Sequence, residues 1–153
     1  MSLQNSAAHP IPPFEIGELF TKEMIFSKQD TRAFSTFVGD FNPLHLDEDF
    51  AAKSRFGGII VAGAHTAGAM AAFTATFTTQ RVENNVGLEI TFRFRRAVMA
   101  DEMLRCEWTV SAIEDKPSMK GHIVTFEGVL INSKGETAVT GQTRTLVFYD
   151  QAS

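Results

Sequence analysis

The sequence predicts an α+β domain in which one long antiparallel sheet wraps a single buried helix. Three observations predict it. Residues Gly63–Thr78 are rich in alanine and apolar nearly all round, as expected of a helix buried on every side. From Asn84 onward, apolar and polar residues alternate with period two, the spacing of half-buried strands. Only short turn signals separate the later alternating runs, so consecutive strands return as antiparallel neighbours.

The elements follow in order. Residues 1–13 hold Pro10, Pro12 and Pro13 among small polar residues and read as a flexible leader to a single domain over 14–150. A strand is expected near Glu18–Phe26. Ser27 with Asp30 matches a helix start: a capping hydroxyl and a carboxylate three residues on. Ala33, Phe34, Phe37 and Val38 recur at helical spacing, and Gly39 supplies the stop, which gives a helix over Lys28–Val38. Residues 40–62 are punctuated by Gly and Pro, with one helical turn expected at Phe50–Lys53. A loop that long inside one domain is usually functional. In the helix over 63–78, Met70, Phe73 and Phe77 share one face, read as core packing ahead of ligand contact. Strands then follow at Ile90–Phe94, Leu104–Val110, Val124–Leu130 and Ala138–Tyr149, with turns at Asp115-Lys116-Pro117 and Asn132-Ser133-Lys134-Gly135.

Composition excludes several classes. A chain of 153 residues suits one domain with a substantial core. Fourteen Phe against one Trp and one Tyr supply apolar bulk without polar groups to satisfy, fit for a core and an apolar pocket. The net charge of −4 carries no nucleic-acid footprint. Arg93, Arg95 and Arg96 form the one tight basic cluster, read as a solvated strand face ahead of a phosphate site. Cys106 is the single cysteine, so no intrachain disulfide can form, and its strand parity with Leu104 and Trp108 makes it a buried small hydrophobe. No apolar run approaches membrane-spanning length and no signal pattern opens the chain, so the expectation is a cytoplasmic protein without a membrane partner.

The chemistry concentrates in Gly39-Asp40-Phe41-Asn42-Pro43-Leu44-His45. Asp and His together can serve as an acid/base pair near neutral pH. On one helix, five residues of separation would point them apart. Here the helix breaks before Asp40, Pro43 biases Asn42 toward an extended conformation, and its own φ is fixed, so a turn can make the two side chains converge. Asn42 offers a donor and an acceptor for a water. Two readings stand beside catalysis: a structural turn with an Asx hydrogen bond, and a metal site from Asp40, His45 and Asp47. A calcium loop through Asp47 and Asp49 lacks the required Gly and terminal Glu.

Asp40-Phe41-Asn42-Pro43-Leu44-His45, with Asp47, Phe50-Ala51 and Phe56-Gly57-Gly58-Ile59-Ile60-Val61-Ala62-Gly63, resembles the MaoC-like family of (R)-specific enoyl-CoA hydratases, in outline from residue 14 to 149. The resemblance implies the hot-dog fold, a curved antiparallel sheet wrapped around a long central helix. It implies that Asp40 and His45 activate water, that Asn42 supports it, and that the Gly63 N–H binds the thioester oxygen. The substrate is then a 2-enoyl thioester of CoA or acyl carrier protein, within fatty acid metabolism, with no metal or other cofactor. Phe56, Gly58, Ala62, Ala64, His65 and Met70 are the candidate substrate contacts, and Arg55 and Lys53 are placed to meet CoA phosphates. Ala62 stands where the family often has His, Ala64 where a subgroup has Trp, and Arg96-Ala97-Val98-Met99-Ala100-Asp101 lacks the usual Pro and Gly. The acid/base pair is intact. Exposed sheet edges and Phe surface predict a homodimer or a multiple of it. Two alternatives remain: a hot-dog thioesterase, which would release free CoA, and a non-catalytic acyl-thioester-binding module, which would leave the enoyl absorbance unchanged.

Overall fold

The computed structural model describes residues 10–150. It comprises β1 (Leu19–Met24), α1 (Lys28–Val38), α2 (Pro43–Leu46), α3 (Glu48–Lys53), α4 (Gly63–Thr79), β2 (Asn85–Phe94), β3 (Leu104–Lys116), β4 (Gly121–Ile131) and β5 (Thr137–Phe148). The strands form one antiparallel sheet in the order β1-β3-β4-β5-β2. The three meander strands are neighbours as their short turns require. The chain reaches the far edge, β2, only after crossing the sheet as α4.

Alternation sets which face is covered. Leu104, Cys106, Trp108 and Val110 of β3 point inward and are buried, as are Val124, Phe126 and Leu130 of β4. Opposite Trp108 the ladder places Gly128 and then Gly141, with Phe92 beyond it. A Cβ at Gly128 would run into the Trp108 ring, and one at Gly141 into the Phe92 ring. The two glycines therefore leave room for both rings over the sheet, where they meet edge to face at 6.2 Å. Met70 of α4 is fully buried against this layer, and the Thr143 hydroxyl donates to that of Thr74 at 3.4 Å. Fully burying a side chain such as Met70 is worth about 1.5–3 kcal/mol, which makes this contact a main anchor of helix to sheet.

Phe73 and Phe77 continue the stripe toward β1. Phe77 stacks on Phe20 at 3.7 Å, and Arg81 lies 4.0 Å over the same ring while holding the Glu18 carboxylate at 2.6 Å. Arg81 also donates to the carbonyl of Pro13 at 3.1 Å, and Pro12 is buried. The end of the expected leader is thus docked, while residues 1–9 lie outside the described residues.

Three expectations change. α4 is not buried all round: Ala64, Gly68, Ala72 and Thr76 form an exposed face, because the sheet of one chain covers only the side that carries Met70 and Phe73. The stretch 40–62 holds two short helices where one turn was expected. Asn42 caps the first through the Leu44 N–H and Asp47 the second through the Phe50 N–H, both at 3.0 Å. β3 runs through the expected turn to Lys116, and a 3-10 turn at Pro117–Met119 reverses the chain. Among the described residues no helix is long and apolar enough to cross a membrane.

Candidate active site

Gly39 ends α1 in the left-handed region, at φ +80°, and the next N–H, that of Asp40, returns to the Ser35 carbonyl at 2.8 Å. This cap turns the chain so that Asp40 leaves the helix axis. Its Oδ1 accepts the Asn42 N–H at 3.2 Å, which leaves Oδ2 facing the ring of His45. Pro43 occupies the first turn of α2, where its missing N–H costs nothing, and two residues on, within the same turn, His45 comes back toward Asp40. His45 Nε2 and Asp40 Oδ2 lie 3.5 Å apart.

The two groups differ in exposure. The His45 side chain is 8% exposed and that of Asp40 43%. His45 Nδ1 lies 2.7 Å from the Ile60 carbonyl. A carbonyl only accepts, so Nδ1 carries hydrogen, and in the neutral ring Nε2 is left as the basic nitrogen toward Asp40. The Ile60 carbonyl is itself fixed. Its own N–H bonds the Leu44 carbonyl at 3.1 Å, and residues 59–61 form a short antiparallel ladder with 98–100.

Gly63 begins α4. Ala62, the N-cap, makes no side-chain cap, and the Gly63 N–H has no acceptor among the described residues. A helix N-terminus with free N–H groups carries partial positive charge. His45 and Gly63 both line one cavity of about 330 Å³, walled by Phe56, Ile60, Phe94 and Val98. It is a mostly apolar pocket with a base and a free amide on its wall, near the lower end of the ligand-pocket range of about 300–1,000 Å³.

The MaoC-like domain matches residues 15–129 of the chain. The chain belongs to the MaoC-like family. Its fold is the hot-dog fold. The chain is 30% identical over 129 residues to the (R)-specific enoyl-CoA hydratase of Aeromonas caviae, covering 84% of this chain and 91% of that one. A second relative, the 3-hydroxybutyryl-CoA dehydratase of Methylorubrum extorquens, is 42% identical over 64 residues, a match spanning 40% of each chain. Among solved structures, an unliganded R-hydratase of Pseudomonas aeruginosa superposes with a TM-score of 0.76 at 25% identity, covering 92% of this chain and 89% of that one. The A. caviae R-hydratase gives 0.74 at 27% identity, covering 90% and 99%.

In this MaoC-like chain the other candidate residues scatter. Phe56 lines the cavity with His45 and Gly63. A Cβ built on Gly58 would stand 3.4 Å from the Met99 methyl, Ala62 is buried as the helix cap, and Ala64 faces out. Met70 lies in the core. His65 turns away toward α1, stacked on Phe34 at 4.4 Å and edge-on to Phe26 at 4.8 Å. Burial pushes its pKa below the usual histidine value, with Asp30 opposing weakly, and its buried Nδ1 has no partner among the described residues. Asn42 spends its carbonyl oxygen on capping α2, and its amide nitrogen has no partner among the described residues. Asp47 likewise caps α3, and no cluster able to hold a metal occurs among the described residues. Cys106 is buried, and desolvation pushes its thiol up to about 12, too high for a nucleophile.

The arginines divide. Arg96 pairs with Glu136 at 3.0 Å and donates to the Thr137 carbonyl at 2.8 Å. Arg93 and Arg95 are exposed and make no ion pair among the described residues. A second depression of about 570 Å³, which includes Arg55 and Lys134, shares Phe56, Arg96 and Ala97 with the cavity. Lys53 is exposed at the end of α3 and lines neither space. Sequence reasoning missed Ile60 and Phe94. Ile60 acts through its backbone, which leaves no side-chain signal. Phe94 stands out in the sequence only as the end of the strand expected over Ile90–Phe94.

Proposed function

We propose that the chain is an (R)-specific enoyl-CoA hydratase, equally a 3-hydroxyacyl-thioester dehydratase, acting by reversible syn addition of water. The observation that carries this reading is the single cavity that brings the His45 imidazole and the free Gly63 amide together, with Asp40 3.5 Å from that imidazole. The thioester oxygen docks at the Gly63 N–H, where the absence of a Cβ allows close approach and the helix end stabilises developing negative charge. Asp40 and His45 share a water, take its proton as it attacks C3, and return a proton to C2. Asn42 Nδ2 steadies that water. The apolar wall of Phe56, Ile60 and Phe94 receives the acyl chain, and the phosphates of the carrier meet Arg55 and Lys134 in the neighbouring depression, whose lining also holds Asp101, Glu102 and the Arg96–Glu136 pair. The working unit is a homodimer or a multiple of it. The named activities of the A. caviae and M. extorquens relatives support the substrate class.

The test is loss of enoyl absorbance over a series of enoyl-CoAs of increasing length, with the product assayed by an (R)-3-hydroxyacyl-specific dehydrogenase. Hydration to the (R) product is expected. Release of free thiol without hydration would establish a thioesterase, and binding without either change would establish a carrier-binding module.

A further inference from the structure

Phe94 closes β2 on the inward face, opposite Val139, yet 53% of it is exposed. Most large apolar side chains on that face are covered, so its place needs a reason. The ring tip supplies one. A Cβ built on Gly63 would stand 3.0 Å from Phe94 Cζ, 3.1 Å from Cε2 and 3.3 Å from Cε1, so a side chain there would have to push the ring back by a few tenths of an ångström. The tip therefore rests on the first residue of α4, whose N–H has no acceptor among the described residues, inside the cavity that His45 also lines.

We infer that Phe94 is a positioning residue of this site: its ring, seated on Gly63, fixes the start of α4 and keeps water away from the free amide. The inference rests on the hydratase reading above. A hydrogen-bond donor stabilises developing charge most strongly where it is preorganised and dry. An apolar ring seated on the same residue serves both conditions without competing for the amide hydrogen. Gly63 then has two reasons to lack a side chain: the approach of the substrate oxygen, and the seat of this ring.

The experiment measures steady-state hydration of crotonyl-CoA by the full-length chain and by Phe94→Leu, Phe94→Ala, Gly63→Ala and the Gly63→Ala/Phe94→Ala double variant. Melting temperature and light scattering are followed for each. As the ring retreats from Leu to Ala, kcat is expected to fall, by about tenfold or more for Ala, a share of the roughly hundredfold that one such donor is worth. KM is expected to move by less than about threefold, because the amide works mainly in the transition state. The double variant is expected to be no slower than Gly63→Ala alone, since both changes act on one amide. Additive losses in the cycle would overturn the inference. So would a rise in KM at constant kcat, which would make the ring a mere acyl contact, or a loss that tracks dissociation of the assembly. In each of these cases an active wild-type chain leaves the hydratase reading standing, whereas a wild-type chain that hydrates no enoyl-CoA removes both.

Discussion

At the scale of single residues, His45, which lines the cavity, and Asp40, which stands 3.5 Å behind it, are held by different means. His45 is buried and its ring is fixed through Nδ1 to a backbone carbonyl, whereas Asp40 is half-exposed and held by one backbone N–H on Oδ1. Asp40→Asn keeps an oxygen for that N–H, so the turn persists while the carboxylate is lost. We expect turnover to fall by at least about a hundredfold, the usual scale for an acid/base group, with the melting curve little changed. His45→Gln should lose activity to the same degree. It also weakens the bond to the Ile60 carbonyl, a cost of about 1 kcal/mol that a denaturant titration would register. Near wild-type hydration of crotonyl-CoA by either variant would remove the pair from the mechanism.

At the scale of elements, the caps decide where Asp40 stands. Gly39 sits at φ +80°, where a Cβ is disfavoured by roughly 1–2 kcal/mol. Gly39→Ala should therefore lower both stability and kcat, since relief of that strain moves the first residue of the site. α1 also packs through Phe34 on His65 of α4. Burial holds the His65 pKa below that of the unfolded chain, so the folded state favours the neutral ring. Stability should be full above the unfolded value of about 6.5 and should fall as pH drops below it, because the unfolded chain takes up the proton first. His65→Phe should flatten that decline in thermal melts between pH 7 and pH 5, and an unchanged slope would place the acid sensitivity elsewhere.

These elements also show what could be read from the chain alone. α1 was legible to the residue because Ser27 and Gly39 mark both ends with side-chain chemistry. α4 came within one residue, and β3, β4 and β5 followed from period two. α2 escaped, and α3 was caught only as one turn at Phe50–Lys53, because helices of four and six residues are too short for a full hydrophobic period and their starts are signalled only by the caps Asn42 and Asp47. Of the site, the Asp40–His45 turn and Gly63 could be named from the motif. The tie from His45 to Ile60 and the contact between Phe94 and Gly63 could not, because they depend on how residues 15 and 31 positions apart meet in space.

At the scale of the whole molecule, the two sheet edges are unlike. β1 exposes Thr21, Lys22 and Glu23, and charge on an edge discourages pairing. β2 exposes Val86, Leu88, Ile90 and Phe94, and beside it lies the bare small-residue face of α4. Between them is a mostly apolar depression of about 280 Å³ that includes Gly68, Ala72 and Ile90. A continuous apolar surface next to an unpaired edge marks an association surface, and a second copy meeting β2 edge to edge would pair the backbone groups and cover the helix at once. This also accounts for the alanine-rich sequence of α4, which suits burial on both sides although one chain covers only one. We therefore expect light scattering to give twice the chain mass at micromolar concentration. Ile90→Lys, which puts a charge into the middle of that surface, should yield a folded monomer. Because Phe94 sits on the same strand as Ile90, the monomer should also lose hydration activity. A wild-type chain that scatters as a monomer, or an Ile90→Lys variant that stays dimeric, would show that the β2 edge is not where copies meet.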